Sequence, residues 1–90
     1  MSTNVKYTFT DDAWEEYCYW QEQDKKTRTR INDLIKDIAR NGNTGIGRPE
    51  PLRGAAGCWS RRINEKDRLI YKIEDNIILI LQCRNHYDDH

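Results

Sequence analysis

Arg68-Leu69-Ile70-Tyr71-Lys72-Ile73-Glu74-Asp75-Asn76-Ile77-Ile78-Leu79-Ile80-Leu81-Gln82 decides the fold. Two runs rich in β-branched and aromatic residues flank a polar triplet, the pattern of a β-hairpin. Matching the faces sets the expected register. With Glu74-Asp75-Asn76 as a three-residue turn, Leu69, Tyr71 and Ile73 oppose Leu81, Leu79 and Ile77 on one apolar face. Arg68, Ile70 and Lys72 oppose Gln82, Ile80 and Ile78 on the other, and Arg84 and His86 continue it. A two-residue turn would mix the faces. Upstream, an odd turn around Glu65 sends Trp59 and Ile63 to the core and Arg62 to the polar face. The result is a three-stranded antiparallel meander on which Arg62, Arg68, Arg84 and His86 converge. Arg61 breaks the alternation, which points to a sheet edge or a bulge.

Ahead of the meander, Val5, Tyr7 and Phe9 alternate with Lys6 and Thr8, which predicts a strand. Thr10 is an N-cap candidate, followed by Asp11, Asp12, Glu15 and Glu16 where acids suit the helix dipole. Trp14, Tyr17, Cys18 and Gln21 follow helical spacing, with Trp20 beside them, and read as a core stripe. Asp24 caps a second helix in which Ile31, Leu34, Ile35 and Ile38 fall at i, i+3, i+4 and i+7. Lys25, Lys26, Arg28, Arg30, Lys36 and Arg40 read as its solvated surface. The helix should stop at Asn41-Gly42. Gly42 to Arg48 reads as a flexible loop without the order of a nucleotide-binding fingerprint. Pro49-Glu50-Pro51-Leu52 then holds one glutamate in extended backbone between two prolines.

Ninety residues make a single domain, 1–90, of class α+β: two N-terminal helices packed on a twisted antiparallel sheet. Lys+Arg and Asp+Glu both number 15, which argues against a generally polybasic nucleic-acid binder. Charge is segregated instead: Arg48 to Arg68 holds six basic residues and three acidic ones. Cys18, Cys58 and Cys83 form no C-x-x-C pair, and no signal peptide or bilayer-length apolar run is present. Buried free thiols in a reduced, cytoplasmic protein fit best, with no membrane association. His86 and His90 do not cluster with the cysteines, so the sequence implies no metal site and no cofactor.

A face with several arginines, a histidine, a nearby glutamate and a tyrosine suits metal-free RNA cleavage. That chemistry needs a base for the ribose 2′-hydroxyl, an acid for the departing 5′ oxygen, and cations on the phosphate. Glu50 can be the base, His86 the acid, and Arg68 the phosphate stabiliser. Tyr87 is suited to stacking on a base or bonding the scissile phosphate. Arg53, Arg61, Arg62 and Arg84 are expected to bind RNA and the ribosome through charge.

Several motifs carry a family resemblance. They are Trp14…Tyr17…Tyr19-Trp20-Gln21, Ile31-Asn32-Asp33-Leu34-Ile35-Lys36-Asp37 and Pro49-Glu50-Pro51-Leu52. The series continues with Trp59-Ser60-Arg61-Arg62-Ile63, Arg68-Leu69…Tyr71 and Cys83-Arg84…His86-Tyr87. In this order, over roughly Tyr7 to Tyr87, the chain resembles the YoeB toxins of the RelE/ParE superfamily. The resemblance implies a RelE-like fold and an endoribonuclease that cuts mRNA in the ribosomal A site and halts translation. It implies Glu50 as general base, Arg68 on the phosphate, His86 as general acid and Tyr87 in support. It also implies a YefM-type antitoxin as partner, with operator DNA bound only by the toxin–antitoxin complex. Oligomeric state is left open, a homodimer included. Two other readings share the fold class: a non-catalytic ParE-like inhibitor of DNA gyrase, and an RNA-binding protein that blocks the ribosome without cutting.

Overall fold

The computed structural model describes residues 5–85. Strand β1 (Lys6–Phe9) leads into helices α1 (Asp11–Gln23) and α2 (Lys25–Asn41). Strands β2 (Glu50–Pro51), β3 (Cys58–Arg62), β4 (Arg68–Glu74) and β5 (Ile77–Gln82) follow. Short polar side chains set the helix boundaries. Thr10 Oγ1 accepts the Ala13 N–H at 3.1 Å, satisfying one of the orphan donors of the first turn. Asp24 serves both helices. Its N–H donates to Trp20 O, closing α1, while its carboxylate accepts from the Lys26 and Thr27 N–H groups and opens α2. One residue therefore makes the whole helix–helix connection. Gly42, at φ +68°, ends α2 in a conformation that costs glycine little.

The sheet runs β1-β5-β4-β3-β2. Strands β3, β4 and β5 form the expected three-stranded antiparallel meander, β2 adds a fourth antiparallel strand at the β3 edge, and β1 joins β5 in parallel, so the sheet is mixed. Both helices contribute to one core. Ile31, Leu34, Ile35 and Ile38 of α2 meet Ile63, Leu69, Tyr71, Ile78 and Ile80 of the sheet side, all buried. The amphipathic reading of α2 holds at every one of its four positions. The odd turn around Glu65 also holds: Arg62 pairs with Arg68 and Trp59 with Tyr71. Ile63 is buried, Trp59 packs on the core and Arg62 is exposed.

The β4–β5 register differs from the expected one. The turn has two residues, Asp75 and Asn76, with Glu74 opposite Ile77 and Tyr71 opposite Ile80. Asp75 takes φ +54°, a left-handed conformation that aspartate tolerates better than most residues. The mixing of faces that argued against this turn is resolved by a bulge. Ile70 pairs with Gln82, which leaves Leu81 as the extra residue and reverses the alternation beyond it. Ile78 and Ile80 consequently face the helices, Cys83 returns to the core, and Leu79 and Leu81 are only half-buried.

The inward stripe of α1 is also offset from the expected one. Ala13 and Glu16 are buried, and Tyr17 and Trp20 pack on the core. Trp14 is 52% exposed, its ring edge-on to Phe9 and stacked on Tyr17. A small residue at position 13 lets α1 approach the sheet end closely: Cys83 Sγ lies 3.7 Å from Ala13 O.

Candidate functional site

The helices cover one face of the sheet, and the other carries an open cleft of about 540 Å³. Ser60, Arg68, Ile70 and Gln82 line it, with Leu52 at one rim and Asn85 at the other. Register explains the grouping: Glu50 pairs with Ser60, Ser60 with Ile70, and Ile70 with Gln82, forming one row across four strands. Directly paired residues share a face, so Glu50 belongs to the same face as Arg68. Strand spacing and rise put their Cα atoms about 12 Å apart, with β3 between them. Glu50 is exposed on an edge strand of two residues, where Pro51 forfeits no interior ladder bond.

Arg68 stands at the start of β4, facing Arg62 across the β3–β4 pair. Two like charges at a paired position repel unless an anion or solvent screens them. Arg68 Nη1 donates to three carbonyls of its own turn, Asn64 O at 2.8 Å, Asp67 O at 3.2 Å and Glu65 O at 3.3 Å. That fixes the guanidinium while its Nε and Nη2 have no hydrogen-bond partner among the described residues. Arg53, in the turn after β2, and Arg62 are both exposed. His86 and Tyr87 lie outside the described residues.

Two arginines expected to bind RNA are placed elsewhere. Arg61 is fully buried, in a regular part of the β3–β4 ladder and neither at an edge nor in a bulge. Alternation sends it inward with Trp59 and Ile63, and its five N–H donors are all used. Nη1 donates to Asp37 Oδ2 at 2.6 Å and Ile46 O at 3.0 Å, and Nη2 to Gly42 O at 2.7 Å and Thr44 O at 2.8 Å. Nε donates to the Tyr71 hydroxyl at 3.3 Å. The hydrogen bond from Arg61 holds the Asp37 carboxyl below its ordinary range, outweighing partial desolvation. Arg61 is therefore a structural cation, closed to a polyanion, that fastens the 42–47 loop expected to be flexible. The same packing explains two glycines. A Cβ on Gly45 would lie 2.0 Å from Asp37 Oδ2, and one on Gly47 2.7 Å from Leu34 Cδ2.

Arg84 leaves the sheet's open face for α1, its guanidinium 3.8 Å above the Tyr19 ring and close to Asp12, Glu15 and Glu16. The cause is local. β5 ends at Gln82, and α1 then grips the chain: Glu16 accepts the Cys83 N–H, and Trp20 Nε1 donates to Cys83 O, each at 2.8 Å. Strand alternation no longer governs residue 84. Burial pushes the Cys83 thiol up to about 12, with the charge of Glu16 adding to the effect.

Sequence reasoning gave no role to Asp67, Asn64 or Asn85. The buried Asp67 carboxylate accepts the Asn85 N–H at 2.7 Å through Oδ1 and the Asn64 Nδ2 at 3.1 Å through Oδ2. Asn85 Nδ2 donates to Lys66 O at 2.7 Å. The available signal was an acid placed directly between the turn and the strand-borne Arg68. Among the described residues, no group of three or more His, Cys, Asp or Glu is placed to hold a metal ion. None of their helices is long and apolar enough to cross a membrane.

Two helices on one face of a mixed sheet, with an open cleft on the other face among the described residues, define a small α+β protein. The chain belongs to the YoeB-like toxins of bacterial type II toxin–antitoxin systems, whose pattern matches residues 9–87. It is 50% identical over 84 residues to Toxin YoeB of Streptomyces coelicolor, covering 92% of this chain and 100% of that one. A YoeB dimer from Staphylococcus aureus superposes with TM-score 0.88 at 46% identity, covering 94% and 100% of the two chains. A YoeB–YefM complex from the same organism gives TM-score 0.87 at 45% identity, with the same coverage.

Proposed function

We propose that this toxin is a ribosome-associated endoribonuclease, an mRNA interferase that cuts mRNA in the A site and stops translation. The observation that carries the reading is the shared open face of Glu50 and Arg68, with Arg62 paired beside Arg68. Glu50 takes the proton from the ribose 2′-hydroxyl, whose oxygen attacks the adjacent phosphorus. The P–O5′ bond breaks, His86 gives its proton to the leaving 5′ oxygen, and a 2′,3′-cyclic phosphate remains. Arg68 faces the phosphate as negative charge builds on it, and its turn carbonyls hold it there in advance. Tyr87 supports the scissile nucleotide. Arg53 and Arg62 bind flanking phosphates. Arg61 and Arg84 leave that set because one is buried and the other lies on Tyr19.

The partners follow the same reading. The chain works in the cytoplasm on ribosome and mRNA, and a YefM-type antitoxin restrains it, as the Staphylococcus aureus complex suggests. Operator DNA is bound only by the toxin–antitoxin pair, and the free toxin forms a homodimer like its Staphylococcus aureus relative. Purified protein in a reconstituted translation reaction, read by toeprinting, tests the proposal. Wild type should cut within the A-site codon. Glu50→Ala, Arg68→Ala and His86→Ala should each cut at least about 100-fold more slowly, the scale of one acid or base. Translation arrest without a cut, or folded variants of full activity at all three positions, would reject it.

A further inference from the structure

The turn that holds Arg68 and the segment that runs into His86 meet at one buried carboxylate. Beyond the Leu81 bulge, Ile70 faces Gln82, and the same register continued would set position 67 opposite position 85. The ladder stops before that rung, because β4 begins at Arg68 and β5 ends at Gln82. Asp67 supplies the missing rung with its side chain: Oδ1 accepts the Asn85 N–H that a backbone carbonyl would otherwise take. Its main-chain oxygen meanwhile accepts from Arg68 Nη1 and from the Ile63 N–H. One residue thus touches both halves of the cleft rim. A carboxylate is a costly choice for a buried position, and only full hydrogen bonding makes it tolerable. Asn64 completes that bonding at Oδ2, while its own Oδ1 accepts the Lys66 and Asp67 N–H groups.

We propose that Asp67 is a positioning residue that locks the Arg68 turn and the C-terminal segment into one unit. Its kinetic consequence rests on the proposed RNA cleavage, in which the groups on the two sides must act on a single phosphate. The lock itself does not. In Asp67→Asn the new amide puts a donor against either the Asn85 N–H or Asn64 Nδ2, whichever way it turns. The swap Asn64→Asp with Asp67→Asn restores a donor–acceptor match at both contacts.

Amide exchange at Asn85, single-turnover cleavage of ribosome-bound mRNA and affinity for the programmed ribosome are measured on wild type, single variant and swap. Asp67→Asn should lose at least tenfold in Asn85 protection and at least tenfold in cleavage rate, with affinity within twofold. The swap should recover both losses to within threefold. An unchanged Asn85 exchange, or a lost exchange with an unchanged rate, would overturn the positioning role. So would a folded swap that recovers neither. A wild type that cuts no RNA removes the proposed activity instead, and the Asn85 exchange of the three proteins then decides the lock alone.

Discussion

Arg61→Met is the sharpest test of how charge is divided between core and surface. The substitution keeps an unbranched apolar stem and removes every hydrogen bond of a fully buried guanidinium. The carbonyls of Gly42, Thr44 and Ile46 lose a charged donor each. At roughly 1 kcal/mol apiece after water recovers part of the loss, these three alone cost about 3 kcal/mol. A domain of this size holds only about 5–15 kcal/mol in total. At about 4–8 °C per kcal/mol, the thermal midpoint should fall by roughly 12–24 °C. Arg62→Ala, one residue along and exposed, should change stability by no more than about 0.5 kcal/mol. RNA binding separates the pair in the opposite sense. Arg62→Ala should weaken binding and flatten its salt dependence by about one unit of slope, whereas folded Arg61→Met should keep the wild-type slope. Scanning calorimetry and a salt titration of RNA affinity measure both. A midpoint for Arg61→Met within about 2 °C of wild type, with a flattened salt slope, would refute the assignment of Arg61 to the core.

Four further outcomes are expected. Asp24 and Asp37 both titrate below their ordinary 3.8, Asp24 through its Thr27 hydrogen bonds and Asp37 through Arg61. The stabilisation they give is present above that value and lost as pH falls below it, so Asp37→Asn should flatten the midpoint-versus-pH curve below pH 3.8. Burial raises the Cys83 thiol to about 12. Alkylation at pH 8 should therefore spare Cys83 in the folded protein and reach it on unfolding, read by peptide mass spectrometry. Gly47→Ala places a Cβ against Leu34 and the Arg61 stem at φ +81° and should destabilise by about 1–3 kcal/mol. Gly42→Ala meets open space and should cost about 1 kcal/mol in denaturant titration.

The sequence by itself determined the features that depend on neighbours along the chain. Thr10 and Asp24 cap their helices through bonds to residues two and three positions ahead. The Ile31, Leu34, Ile35 and Ile38 stripe needs only the helical period. The odd turn at Glu65 also followed from strand parity, whereas the face that Glu50 shares with Arg68 came from the observed β2–β3 pairing. Parity failed where one extra residue could reverse it. Asp75 permits a two-residue turn, the Leu81 bulge then compensates, and neither choice is marked by composition. Strand alternation aims Arg61 inward, but only the tertiary structure supplies the partners that make its burial tolerable and that draw Arg84 off the open face. Asp37 and three loop carbonyls close around Arg61, and Tyr19 lies under Arg84. Those partners stand between 15 and 65 residues away along the chain, and only folding brings them within bonding distance.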